Sequence, residues 1–190
     1  MNVLIVGSQG SGKGTQAKRI SAEYGIPHVA TGDLYRAAVA AGTELGRSVE
    51  PILAEGRLVP DEITIPLIRE ELLKTADGFV LDGFPRNLAQ AEALDGLLEE
   101  LGRPLSIVLL LELSDDISRE RLLRRARLEG RADDTPEAID ERLATYHEKT
   151  QPVVDHYLAT GNLVKVHAER PVEEVWDEIV KALEQVEARA

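Results

Sequence analysis

Nine residues near the N-terminus, Gly7-Ser-Gln-Gly-Ser-Gly-Lys-Gly-Thr15, follow an apolar run and open a helical pattern. In that setting a glycine-rich string folds as a loop around an anion. The glycines let successive backbone N–H groups turn inward, the helix N-terminus adds partial positive charge, and Lys13 supplies a full one. Thr15 departs from the usual spacing, because Gly14 stands where a Ser or Thr ordinarily follows the lysine to meet Mg²⁺. A second concentration of charge lies far downstream. Residues 119 to 131 hold Arg119, Arg121, Arg124, Arg125, Arg127 and Arg131 against two glutamates, a local charge of +4 in a chain of net −12. Arginine matches phosphate oxygens bidentately and keeps its proton, so the run suits a polyphosphate site. It suits a solvated helix with glutamate partners equally well. The four histidines (His28, His147, His156, His167) lack metal-ligand spacing, and no Ser-His-Asp order or HExxH string occurs. Transfer of a phosphoryl group to another phosphate needs no general base, since the attacking oxygen is already anionic. Lysine, arginine and Mg²⁺ suffice to position and stabilise it.

The elements that would carry these groups alternate. Apolar runs at 3–6, 27–30, 78–82, 105–113 and 163–166 read as strands, and most are continuous rather than alternating, as in a parallel sheet covered on both faces. Helical patterns fill about 13–24, 33–42, 44–55, 61–75, 87–101, 115–129, 136–159 and 172–187. Gly25 and Gly161 stand at C-cap positions, and Thr135-Pro136 supplies an N-cap and a first-turn proline. Pro152 predicts a kink in the helix over 136–159. Three helices between the second and third strands exceed what one crossover needs, which predicts an inserted helical lobe. Residues 126 to 134 read as a short charged loop between two helices.

At 190 residues and 43% hydrophobic content, one α/β domain with embellishments is expected. The acidic balance argues against a nucleic-acid-coating protein, because neutralising phosphates needs net local cation. No cysteine is present, so disulfides and thiolate zinc sites are excluded, as suits a reducing interior. No stretch is long enough to span a bilayer. A cytoplasmic protein without a membrane or nucleic-acid partner is the expectation.

With the loop Gly7–Thr15, the strings Thr31-Gly-Asp-Leu-Tyr-Arg36 and Asp82-Gly-Phe-Pro-Arg86, and the run Gly130-Arg-Ala-Asp-Asp134 in this order, the sequence resembles the adenylate kinase family over nearly its whole length. The resemblance implies a P-loop nucleoside monophosphate kinase fold, a single domain over 1–190, whose five-stranded parallel sheet carries an AMP-binding lobe at 31–59 and a short lid at 126–134. It implies reversible transfer between MgATP and AMP, with ADP as product, by a monomer. Gly10, Ser11, Gly12, Lys13, Gly14 and Thr15 would hold the ATP phosphates together with Arg125, while Arg119 and Arg170 would lie at its adenine. Arg36 and Arg86 would hold the phosphate of AMP, in a pocket shared by Thr31, Gly32, Arg57, Val59, Gly83, Gln90, Arg131 and Arg142. Arg121, Arg125, Arg131 and Arg142 would surround the transferring group, with Lys13 and Arg86 completing the catalytic set. Asp82 would hold Mg²⁺ through water. Some relatives have a longer lid built on cysteine-ligated zinc, a scheme this cysteine-free chain cannot use. Asp133 and Asp134 would pair with lid or hinge arginines, and the Phe84–Pro85 peptide would be cis.

The nearest competing reading is a UMP/CMP kinase, and the base contacts decide between them. Thr31 and Gln90 follow the adenylate pattern, where pyrimidine relatives tend to have Ala and Asn. A glutamine amide both donates and accepts, so it can read the N1 and N6-amino edge of adenine. Asn87 stands on the pyrimidine side of the comparison. Gln9, where relatives often have proline, and Ala30, where many have serine, are further departures. A nucleotide-binding switch is disfavoured by the lack of an Asn/Thr-Lys-x-Asp string.

Overall fold

The apolar runs become five strands, β1 (Asn2–Gly7), β2 (His28–Ala30), β3 (Phe79–Asp82), β4 (Ile107–Glu112) and β5 (Leu163–His167), in a computed structural model that describes residues 1–131 and 134–188. Every pairing is parallel and the order is β2-β3-β1-β4-β5. The fold is thus α/β, a five-stranded parallel sheet flanked by helices. Successive side chains of β1 alternate between two cores. Val3 and Ile5 face α1 (Lys13–Tyr24) and α9 (Val172–Glu187), meeting Ile20, Ile179 and Leu183. Leu4 and Val6 face α4 (Asp61–Leu73), α5 (Leu88–Glu100) and α8 (Gln151–Thr160), meeting Leu72, Leu94 and Tyr157. Both faces are covered, which is why β1 and β4 carry no polar alternation, whereas the edge strand β5 exposes Lys165 and His167. In register, Ile5, Asp82 and Ala30 stand side by side, so the carboxyl ends of β1, β3 and β2 open on one crevice, the usual ligand position in such sheets.

Between β2 and α4 the chain forms α2 (Thr31–Ala40) and α3 (Glu44–Ala54). These helices bury Tyr35, Val49 and Val59 in a small core of their own, closed by Ile63 and Leu67 from α4. The same α4 sends Ile68 and Leu72 into the main core. Gly46 is buried in α3, where a Cβ would overlap the Ala38 carbonyl of α2.

On the other side of the crevice, α6 (Asp115–Glu129) packs on α7 (Pro136–Thr145) through Leu122, Ile139 and Leu143. Helix α6 includes residues 126–129 and ends at Gly130 (φ 63°), so the connection to α7 is shorter than the loop expected from sequence. Thr135 caps α7, its hydroxyl accepting from the Ala138 N–H at 3.2 Å.

The helix expected over 136–159 is not continuous. After α7 comes one π-turn, Tyr146–Thr150, and α8 starts at Gln151. Proline lacks an N–H and its ring crowds the carbonyl four residues back, here that of Glu148. Widening the preceding turn, with the Gln151 N–H donating to the Tyr146 carbonyl, relieves that crowding.

Replacing Gly46→Ala inserts a methyl where α2 and α3 touch. A loss of about 1–3 kcal/mol is expected from the overpacking, read as a lower Tm in thermal denaturation.

Candidate active site

The crevice holds a cleft of about 660 Å³, bounded by the glycine loop, the α2–α3 pair and α6. Gly10 and Gly12 have φ of 83° and 89°, left-handed conformations that glycine adopts without strain. Gly12 precedes α1 without a side-chain cap, leaving the first N–H groups of the helix toward the cleft as an anion site. The Lys13 ammonium donates to the carbonyls of Gly7 and Ser8, both at 2.7 Å. Burial pulls its pKa from 10.5 to about 8; Asp82 opposes that shift, and Arg86 and Arg125 reinforce it. The group stays mostly protonated at pH 7, and an arriving phosphate would raise its pKa again.

Arg86 stands opposite the loop. Its Nε donates to the Gly83 carbonyl at 2.7 Å, and its backbone N–H donates to Gln90 Oε1 at 2.8 Å. Burial lowers its pKa; Asp82 opposes this, and the neighbouring Arg142 and Arg36 cations add to it. Gln90 is buried and donates from Nε2 to Asp61 at 2.7 Å, which fixes the amide and leaves one N–H and one lone pair unused. Thr31 donates to the Gly83 carbonyl at 2.9 Å. Asn87 caps α5 by accepting from the Gln90 N–H at 2.8 Å and donates to Asp61 at 3.0 Å. The Phe84–Pro85 peptide is cis.

Asp134 is buried between two of the expected arginines. Arg125 meets it with Nε at 2.7 Å and Nη2 at 2.9 Å, and Arg142 with Nη1 at 2.5 Å. Burial by itself would raise the Asp134 pKa, but the hydrogen bonds and charges of the two guanidiniums hold it below the usual carboxylate value. Arg142 also donates to the Leu53 carbonyl at the end of α3, at 3.3 Å. The pairing expected of Asp133 lies outside the described residues.

Most of the expected site residues line this cleft: Gly10, Gly12, Lys13, Gly14, Thr15, Thr31, Gly32, Arg36, Arg57, Val59, Asp82, Gly83, Arg86, Gln90, Arg121, Arg125, Arg131 and Arg142. Three do not. Ser11 is buried beneath the loop. Arg119 pairs with Asp140 of α7 at 2.5 Å, and Arg170 lies 3.7 Å from Glu178 of α9, each drawn to a carboxylate on a neighbouring helix. Arg121 reaches the cleft while donating to the Ala168 and Glu169 carbonyls at 2.9 and 3.3 Å. The Asp82 carboxylate faces the first turn of α1, its Oδ2 lying 3.6 Å from where a Cβ on Gly14 would be. That carboxylate is a hard-oxygen donor of the kind that suits Mg²⁺, an ion that takes few protein ligands beside phosphate and water.

Sequence reasoning passed over Lys18, Thr64 and Leu128 and gave Tyr35 and Arg124 no role of their own, although all five line the same cleft. Helical spacing held a signal for some of them. Lys18 follows Gly14 by one turn, and Arg121, Arg124, Arg125 and Leu128 share one face of α6. Asp61, which orients Gln90 and Asn87, left no such trace.

A glycine loop at the carboxyl edge of a parallel sheet, facing an arginine-lined cleft, defines a P-loop phosphotransferase. The family model described as adenylate kinase matches residues 5–162. The chain is 49% identical to the adenylate kinase of Synechococcus sp. (strain RCC307), over 95% of this chain and 97% of that one. It is 46% identical to that of Thermobifida fusca over 96% and 98% of the two chains, and 46% identical to that of Xylella fastidiosa over 96% and 99%. The chain belongs to the adenylate kinase family.

Removing the buried carboxylate by Asp134→Ala takes away the negative charge that Arg125 and Arg142 share and is expected to lower stability by about 3 kcal/mol at pH 7. Because the folded pKa is depressed, that contribution is complete above the unfolded value near 4 and fades as pH falls through the lower folded value. Thermal melts of both proteins should therefore converge in acid.

Proposed function

We propose that the enzyme interconverts MgATP and AMP with MgADP and ADP, and that the cleft divides this work between two groups of cations. The carrying observation is their placement in one cleft: Lys13 with Arg121 and Arg125, which follow β1 and β4, then Arg36 and Arg86, which follow β2 and β3, with Arg131 and Arg142 also lining it. One group suits the ATP phosphates and the other the phosphate of AMP. The acceptor phosphate is anionic as it attacks, so the residues align the two phosphates and balance the charge of the transition state. Asp82 would hold Mg²⁺ through water, and the ion supplies charge neutralisation on the ATP phosphates when bound.

Thr31 and Gln90 support adenine as the acceptor base. The amide left with one donor and one acceptor matches the N1 and N6-amino edge. Asn87, the residue that pointed toward pyrimidines, is accounted for by its cap on α5 and its bond to Asp61. Residues 31–59 and the connection around 126–134 would close over AMP and ATP, excluding the water that would otherwise hydrolyse ATP. We read the protein as a cytoplasmic monomer acting on free nucleotides, without a zinc site. Among the described residues no helix is long and apolar enough to cross a membrane.

Purified protein given MgATP with AMP, CMP, UMP or GMP should form ADP fastest with AMP; faster turnover of a pyrimidine nucleotide would overturn the assignment. Arg86→Ala should raise the KM for AMP about 100-fold, the effect of one charged contact worth roughly 3 kcal/mol. The KM for ATP should stay within about twofold.

A further inference from the structure

Arg86 sits in the stretch 83–87 between β3 and α5, where neither a ladder nor a helix serves its backbone. Side chains do so instead. Gln90 accepts from the Arg86 N–H on one side. On the other, the buried Thr150 hydroxyl donates to the Arg86 carbonyl at 2.9 Å, across 64 residues of chain. The peptide units flanking the Arg86 Cα are therefore both held, and the guanidinium is aimed further by the Gly83 carbonyl.

Thr150 is the last residue of the π-turn. Each residue of an α-helix advances about 100° around the axis, so the extra residue of the wider turn rotates all that follows by about that amount. The π-turn therefore sets which way Thr150 faces. Tyr146 and Thr150, its two ends, also line a small cavity of about 20 Å³ with Gln9, Lys13, Pro85 and Arg86. One turn of helix thus stands behind both Lys13 and Arg86.

The geometry points to Thr150 as a positioning residue for phosphoryl transfer, acting through the main chain of Arg86. Without the hydroxyl, the Arg86 carbonyl loses its partner in a partly buried place and the stretch 83–87 loses one of its two straps. The guanidinium then samples positions away from the phosphate, and small misplacements of such groups are costly to rate. This inference rests on the reading that Arg86 holds the phosphate of AMP.

Steady-state kinetics and thermal melts on three variants test it. Thr150→Val keeps the shape and removes the hydroxyl. Thr150→Ser and Thr150→Ala both lose the methyl and differ only in the hydroxyl, so this pair decides the matter even if the valine protein does not fold. The expected result is a roughly tenfold fall in kcat/KM for AMP in Thr150→Val and Thr150→Ala, about one hydrogen bond's worth. Thr150→Ser should lie near wild type, and the KM for ATP should move by less than about twofold throughout. Equal activity of the Ser and Ala variants, or a parallel loss for ATP and AMP, overturns the proposal. Arg86→Ala separates the two failures: if it leaves AMP kinetics intact, the functional reading falls, and if it abolishes AMP use while the Ser/Ala pair is silent, only the role of Thr150 falls.

Discussion

A site that collects like charges has to hold them against their own repulsion. Two unit charges 6 Å apart repel by about 3 kcal/mol at an effective dielectric of 20, and seven of the cations lining this cleft, Lys13, Arg36, Arg86, Arg121, Arg125, Arg131 and Arg142, converge on one space. The fold answers in two ways. Lys13, Arg86 and Arg121 are tied to backbone carbonyls of the loops at the strand ends. Arg36, Arg125, Arg131 and Arg142 are tied to carboxylates, those of Asp33, Asp134 and Glu129. A carbonyl fixes a cation without cancelling its charge, so the first group keeps its full field for a ligand. A carboxylate offsets part of the charge, so the second group presents less than its full field while these pairs hold.

The parallel sheet makes this arrangement possible because it brings the ends of β1, β3 and β2 into register. Lys13 and Asp82 descend from adjacent strands, and Arg86 from the loop that follows one of them. The acid that balances the cleft lies elsewhere, largely on exposed helix faces, where ion pairs such as Lys74 with Glu71 add little to stability.

The strands and the phosphate loop were legible because their signals are local. A continuous apolar run such as Ile107–Leu111 reads as a strand buried on both faces, and a glycine string after β1 has one physical use. Groups that act across the chain left little sign. Asp61 is one carboxylate among 34 acidic residues, and its bonds to Asn87 and Gln90 span 26 and 29 residues. Arg119 and Arg170 are paired with Asp140 and Glu178, partners 21 and 8 residues away that the charge run did not announce. The π-turn was half visible. Pro152 announced a disturbance in the helix, and only packing decided that it would be absorbed one turn earlier.

Helix α4 belongs to two cores at once, with Ile63 and Leu67 turned to the α2–α3 pair and Ile68 and Leu72 to the main body. The α2–α3 core buries only three side chains fully, whereas the body buries more than a dozen on each face of the sheet. Such a small core opens at a lower free energy than the body beneath it. The enzyme is thereby built from parts of unequal stiffness, with the boundary running along the axis of α4. Amide protons of α2 and α3 are expected to exchange with solvent before those of β1 and β3, the strands from whose ends the glycine loop and Asp82 reach the cleft.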